Sequence, residues 1–305
     1  MVYSQASQLP GAAHTFPALA LPDQVLLADP RDFDALYAIN PHMVDGSGAL
    51  KRIDRTLARN QWDAWRAALE SSALRVTVAP PLDGFPDLVF CANQALPIAA
   101  GVCADGVARV VPSRMAHQER RGEVSHIVAQ LERLGHRVAP LEGTATRLEG
   151  MGDGLWVHGR RLLLGGVGPR TAREAWDELS ERYDVPIATL TLSDPDFYHL
   201  DTALAVLDDR SCLWFPRALD AAAQRMVEAL FPQLIVADEE EARTKLACNA
   251  FSDGRGHVYV EATAAHTIAA LQRSGYSVTT LHSSEFLKSG GSLFCMKLLF
   301  GPVVV

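Results

Sequence analysis

A chain of 305 residues with 48% hydrophobic content carries enough apolar material for a sizeable core, in one large domain or two. A formal charge of -8, with no basic cluster beyond the local Glu119-Arg120-Arg121, argues against nucleic acid as a partner. No run approaches the roughly 18 apolar residues of a membrane span, so no membrane insertion is expected.

The first 20 residues lack a basic region ahead of their apolar part and read as a loose N-terminal arm, leaving 21–305 as a single domain. The cysteines, Cys91, Cys103, Cys212, Cys248 and Cys295, are odd in number and scattered without a Cys-x-x-Cys pair. That spacing argues against a disulfide framework or a zinc site and for a reducing, cytoplasmic setting.

Gln24 to Ala28 reads as a first strand, followed by a polar turn through Asp29-Pro30-Arg31-Asp32. Asn40 precedes Pro41, which holds it extended and outside a helix. A helix is predicted from Leu50 to Ser71 with Trp62, Trp65 and Leu69 on one face, then a strand from Leu74 to Val78. Asp87 to Asn93 reads as a short apolar strand with polar ends; Ala108 to Pro112 is another, Gln118 to Leu134 a helix, and a further strand begins at His136. Leu155 to His158 and Arg161 to Gly165 suggest a hairpin, with a helix from Arg170 to Arg182. Strands at Ala188 to Leu192, Ala203 to Leu207 and Ser211 to Phe215 precede the helix Asp220 to Leu230. The remainder reads as Gln233 to Val236, Ala247 to Phe251, His257 to Val260, the helix Ala264 to Ser274, Ser277 to Leu281 and Leu293 to Leu299. Short strands in groups, with a helix between groups, recur at about 50 to 60 residues and predict a mixed α/β domain of ββαβ-like units.

Four segments carry groups suited to chemistry. Gly290-Gly291 allows positive φ or a close backbone approach, so Cys295 just beyond it can sit at a pocket mouth; a small buried core residue is the alternative. Glu149 and Asp153 stand among glycines in a stretch that cannot be helix interior. In Phe197-Tyr-His199-Leu-Asp201-Thr202, an extended backbone would point His199 and Asp201 to the same side, as a structural pair or as an acid/base with its orienting carboxylate. Asp87 and Asn93 flank the fourth, apolar segment, where an ordinary turn asparagine is the alternative.

The ordered set, Asp87…Asn93, Glu149-x-x-x-Asp153, His199-x-Asp201 and Gly290-Gly291-x-x-x-Cys295, resembles the guanidino-group modifying enzymes: arginine deiminases, dimethylarginine dimethylaminohydrolases, arginine dihydrolases and amidinotransferases. The resemblance spans Asn40 to Cys295 and implies a five-fold pseudosymmetric α/β propeller (pentein), one catalytic domain with its site on the axis. It implies Cys295 as nucleophile, His199 as general acid/base, Glu149 as the carboxylate orienting it, and Asp201 as the grip on the guanidinium. Arg170 matches an arginine for the substrate α-carboxylate and Arg120 a second arginine. Asp87, Asn93 and Asn40 join the substrate-binding set, with Asp153 holding the glycine turn.

A guanidinium is a planar, weakly electrophilic cation, so carboxylates must orient it while a thiolate attacks its carbon. The implied route passes through a covalent thiouronium and needs no metal or organic cofactor. The substrate is a small guanidino molecule, arginine or a derivative; self-association is left open. Asn93 stands where deiminases of the family usually carry aspartate. An amide there can hold a neutral ureido group as well as a guanidinium. Asn93 and Asn40-Pro41 therefore point to an arginine dihydrolase, hydrolysing twice to ornithine. The alternatives are a dimethylarginine hydrolase or an amidinotransferase on the same scaffold, a non-catalytic amino-acid-binding member, and a papain-like hydrolase, whose cysteine would come early on a helix.

Overall fold

The computed structural model describes residues 1–301, so the last four residues of the expected 21–305 domain lie outside the described residues. The chain builds five small sheets on one repeated plan: an antiparallel pair, then a helix, then a third strand parallel to the second. Gln24–Ala28 runs parallel to Arg75–Ala79 across the helix Arg55–Glu70. Ala95–Ile98, Arg109–Pro112 and Arg137–Val138 form the second sheet. The third contains Gly154–Trp156, Leu163–Val167 and Ile187–Thr191. Leu204–Val206, Ser211–Trp214 and Gln233–Val236 form the fourth, and Phe251–Ser252, His257–Glu261 and Ser277–Leu281 the fifth. The missing antiparallel partner of the first sheet comes from the far end of the chain: Leu298–Phe300 pairs with Gln24, Val25 and Leu26. The last unit is thereby joined to the first.

The helices follow their apolar periodicity. Arg55–Glu70 buries Trp62, Trp65 and Leu69 completely, and it starts later than the predicted Leu50 because the Asp54 side chain accepts from Leu57 N at 2.9 Å and caps it. The N-terminal residues, expected to be a loose arm, are packed instead. Val2–Tyr3 adds a parallel strand beside Ile187–Thr191, and Tyr3, Ala13 and Phe16 are buried in the same apolar cluster as Leu155, Leu190 and Leu230. Burial of these side chains offsets the ordering of an otherwise unremarkable segment.

Three predicted strands are corrected. Asp87 to Asn93 forms two successive 3-10 turns, Pro86–Val89 and Cys91–Asn93. A short apolar run buried on all sides has no periodicity to separate strand from turn. Ala247 to Phe251 and Leu293 to Leu299 keep only their last residues in strands. These corrections share a cause. In every unit a tight turn precedes the first strand: Cys91–Asn93, Gly150–Asp153, Leu200–Ala203, the bend at 247–249, and 293–296. Gly150–Asp153 and Leu200–Ala203 are single helical turns, so the non-helical and extended readings of those two segments were wrong. The five turns carry Asn93, Asp153, Asp201, Asn249 and Cys295, with Glu149 and His199 at the N-cap positions of the two helical turns.

Candidate active site

Cys295 is buried at the head of the last turn. Its Sγ donates to Asp201 Oδ2 at 3.2 Å and accepts from Asn249 Nδ2 at 3.1 Å, while its backbone N donates to Asn249 Oδ1 at 3.2 Å. Burial, then the adjacent Asp201 charge, push the thiol well above its usual range. Burial also pushes the Asp201 carboxyl up to about 7, against the Cys295 hydrogen bond and the Lys297 charge, which lower it.

His199 and Glu149 form a second cluster. His199 Nε2 lies 2.7 Å from Glu149 Oε2, which also accepts from Arg170 Nη1 at 3.0 Å, and Glu149 Oε1 accepts from Ala116 N at 2.9 Å. Burial alone would raise this carboxyl, but the His199 hydrogen bond, the imidazole charge and Arg170 hold it well below the glutamate range. An ionised Glu149 accepts a hydrogen bond from Nε2–H and leaves Nδ1 as the unprotonated nitrogen of a neutral ring; Nδ1 is buried with no partner in the protein. Asp153 braces the same turn, accepting from Thr171 Oγ1 at 2.6 Å and Leu200 N at 2.9 Å.

A narrow cavity is lined by Cys295, Asp87, Asn93, Arg120, Arg170 and Asn40, together with Tyr198, Ser289 and Gly291. Six of the ten residues singled out in the sequence thus line one cavity. Asp201 touches it through Cys295, whereas His199, Glu149 and Asp153 stand behind Asn93 and Arg170. Asp87 is buried with both carboxylate oxygens unpartnered. Arg170 Nη2 donates to Ile39 O at 2.7 Å, and its guanidinium lies 4.9 Å from the Tyr198 ring centroid.

Arg120 departs from its expected place as a free second arginine for substrate. Its nitrogens are committed within the protein, to Glu123 Oε2 at 2.8 Å, Asn93 Oδ1 at 2.9 Å, Asp87 O at 3.0 Å and Phe90 O at 3.2 Å. Because Arg120 only donates, it fixes the amide of Asn93 with Oδ1 inward and Nδ2 unpartnered.

The glycines around the site make room for it. Gly290 has φ +84°, and a Cβ there would come within 2.6 Å of Asn40 Oδ1 and 2.7 Å of Tyr198 Oη; at Gly291 it would overlap the Phe90 ring. The pair therefore seats the Cys295 segment against Asn40, Tyr198 and Phe90. A Cβ at Gly152 would overlap Asn93 Nδ2 and approach the His199 ring to 3.2 Å. Gly152→Ala is expected to lower kcat by about tenfold to a hundredfold through displacement of these two groups, with the far-ultraviolet circular dichroism retained. Steady-state kinetics on the purified variant checks this.

Asn249, Tyr198 and Thr171 were not singled out from the sequence. Asn249 bridges four groups, adding Ser292 N at 3.0 Å and Asp201 O at 3.0 Å to the two contacts with Cys295. Its signal was positional: a single amide inside an apolar run, at the place in its unit that Asn93 occupies in the second.

No protein-family model matches the chain. The chain is 35% identical over 276 residues to the N(G),N(G)-dimethylarginine dimethylaminohydrolase of Mycobacterium tuberculosis, covering 90% of this chain and 85% of that protein. It is 31% identical over 278 residues to the bifunctional arginine dihydrolase/ornithine cyclodeaminase ArgZ of Synechocystis sp., covering 90% of this chain but only 37% of that longer protein. The crystal structure of the N-terminal domain of ArgZ, a cyanobacterial arginine dihydrolase, bound to substrate superposes with a TM-score of 0.83 at 29% identity, over 92% of this chain and 99% of that one. The α/β fold is that of these guanidino-modifying enzymes. The chain belongs to this family, alongside the dimethylarginine dimethylaminohydrolases and arginine dihydrolases.

Proposed function

We propose that this protein is a cysteine-dependent hydrolase of the guanidino group of arginine, acting through a covalent thiouronium. The observation that carries the reading is a convergence of buried polar atoms with no partner in the protein. Both oxygens of Asp87, Oδ1 of Asp201, Nδ2 of Asn93 and Nδ1 of His199 are buried without a partner, on residues that line the Cys295 cavity or pack against those that do. Most buried polar groups in proteins are hydrogen-bonded, so a cluster of this kind beside one cavity suits a ligand. Two carboxylates make it a receptor for a planar cation.

In this reading Asp87 and Asp201 grip the guanidinium, whose charge favours the Cys295 thiolate. Sγ bonds to the guanidino carbon, His199 Nδ1 delivers a proton to the departing amine, and the C–N bond breaks to leave the thiouronium. Water then attacks that carbon, giving its proton to His199, and the C–S bond breaks to restore the thiolate. Each turnover consumes one water and releases one amine. Glu149 orients His199, and Arg170, which lines the cavity, is the cation for the substrate α-carboxylate. Arg120 serves as the clamp on Asn93, Asn40 as a wall of the cavity, and Asp153 as the brace of the Glu149 turn.

The orientation of Asn93 supports a second hydrolysis. With Oδ1 taken by Arg120, only the Nδ2 donor is left free, and a donor suits the carbonyl oxygen of a ureido product rather than another N–H of a guanidinium. Citrulline would then be held and cleaved again to ornithine, carbon dioxide and ammonia. A dimethylarginine hydrolase is the second reading, favoured by the 35% identity to the mycobacterial relative. Incubation with arginine is expected to yield ornithine and two ammonia per arginine, followed by amino-acid analysis. Citrulline accumulating without ornithine would sink the dihydrolase reading, and dimethylamine released from asymmetric dimethylarginine would establish the second.

The five sheets, joined end to end by the Leu298–Phe300 pairing, support a five-bladed pseudosymmetric propeller around this site as one catalytic domain.

A further inference from the structure

The buried amide of Asn249, in the turn before the first strand of the fifth sheet, has every hydrogen-bonding position filled. Its Oδ1 accepts from Ser292 N at 3.0 Å and Cys295 N at 3.2 Å. Backbone N–H groups only donate, so the amide cannot be turned over and Nδ2 must face the other way. There it donates to Asp201 O at 3.0 Å and to Cys295 Sγ at 3.1 Å. Among the described residues no other side chain donates to that sulfur, and its second side-chain partner, Asp201 Oδ2, is an acceptor.

The backbone that carries Asn249 is held in a costly conformation. Leu246 has φ +46°, in the left-handed region that a leucine rarely enters, and its carbonyl accepts from Asn249 N at 2.8 Å. Asn93, at the same place in the second unit, is arranged the opposite way, with Oδ1 taken by Arg120 and Nδ2 left without a partner. One amide is free for a ligand; the other is committed to Cys295.

The two neighbours of the sulfur act differently on its two protonation states. A thiol donates to Asp201 and accepts from Asn249. An ionised sulfur has no proton for Asp201, whose carboxylate then opposes it, whereas the Asn249 N–H remains and its bond strengthens on a charged acceptor. Burial and the Asp201 charge accordingly raise the thiol, and the Asn249 bond acts against them.

We propose that Asn249 is a catalytic residue of the guanidino site, whose Nδ2–H holds the Cys295 sulfur as the thiolate before attack and again as the carbon–sulfur bond breaks. The proposal rests on the reading of Cys295 as the nucleophile. The amide keeps both its protons throughout, and no covalent bond to it forms or breaks.

Alkylation of Cys295 by iodoacetamide, followed on its peptide by mass spectrometry from about pH 6 to 11, measures this, because only the thiolate reacts. The midpoint of the profile reports the thiol, and ease of reagent entry sets only the plateau. Asn249→Ala is expected to raise the midpoint by about one pH unit. Asn249→Asp keeps an oxygen for the Ser292 and Cys295 N–H groups, which hold its carboxyl ionised, but sets a negative charge against the sulfur. Its midpoint is expected higher still. A residue that merely anchored the turn would give the reverse order, with the Asp variant close to wild type. The titratable groups around the sulfur are common to all three proteins: Asp201 in contact, Asp87, Tyr198, Arg120 and Arg170 along the cavity, His199 behind Asn93, and Lys297 two residues on. An Ala midpoint equal to wild type, or an Asp midpoint below that of Ala, overturns the proposal.

Should either variant not fold, the wild type decides. The chain has four asparagines, Asn40, Asn60, Asn93 and Asn249, so ¹⁵N-asparagine labelling gives four side-chain amide pairs, assigned by substituting the other three. One Nδ2 proton of Asn249 is expected to move downfield with the alkylation midpoint of Cys295, and to stay in place over that range in Cys295→Ala. An Asn249 resonance that does not follow the thiol overturns the proposal. Neither readout needs turnover, so either can fail while guanidino hydrolysis stands. Failure of the nucleophile reading is seen separately, as turnover retained in Cys295→Ala.

Discussion

Cys295→Ala is expected to abolish hydrolysis of the guanidino substrate, with kcat falling by about 10⁴-fold or more and no covalent adduct on the protein by mass spectrometry. The magnitude follows from chemistry with no substitute. Among the described residues no other thiol, serine hydroxyl or lysine amine is hydrogen-bonded to Asp201 or Asp87, and a water attacking an intact guanidinium would face a resonance-stabilised cation with a poor leaving group. The fold should tolerate the change. Cys295→Ala removes one sulfur and leaves the backbone bond from Cys295 N to Asn249 Oδ1 in place, a cost of about 1 kcal/mol. Turnover retained in this variant would remove the nucleophile assignment and the mechanism with it.

Glu149→Gln is expected to act on both activity and stability. The carboxylate serves three donors, His199 Nε2, Arg170 Nη1 and Ala116 N, with two oxygens. An amide has one oxygen, and its NH₂ would face a donor, so at least one donor loses its partner and the buried Arg170 loses its counter-charge. Breaking such a buried pair costs about 3–5 kcal/mol, measurable as a lower urea midpoint. The kcat should fall by about 10³-fold, because His199 is no longer held with Nδ1 free to carry protons. The pH dependence has a definite sign. The folded-state carboxyl of Glu149 titrates below the unfolded value of about 4.3, so its contribution to stability is fully present above that pH and is lost as pH falls beneath it. The variant should therefore lose the acid-side slope that Glu149 gives the wild type below about pH 4.3. Equal urea midpoints at neutral pH would contradict the buried triad.

Much of the helical framework was legible along the chain, because apolar periodicity is local. Trp62, Trp65 and Leu69 announce a buried helix face without knowledge of what covers it, and the recurrence of strands and helices announces repeated α/β units. The tight turns before each first strand were less legible. Apolar runs such as 87–93 and 293–299 are buried on all sides, and complete burial erases the alternation that distinguishes a strand from a turn. The N-terminal residues were misread for a related reason. Their stability comes from a neighbour more than half the chain away in sequence, the Ile187–Thr191 strand.

What the sequence determined by itself was the chemical inventory and its order: a late thiol behind two glycines, a histidine two residues from a carboxylate, and an acidic glycine turn. Only the tertiary structure decided their pairing. His199 and Asp201, neighbours in sequence, serve different partners 50 and 94 residues away, Glu149 and Cys295, because a helical turn begins between them and sends their side chains apart. Arg120 meets Asn93, and Asn249 meets Cys295, through contacts 27 and 46 residues apart. Residue type sets what a side chain can donate, accept or attack. Which partner it meets depends on backbone direction at a turn and on the packing of separate sheets, and neither is encoded in its immediate neighbours.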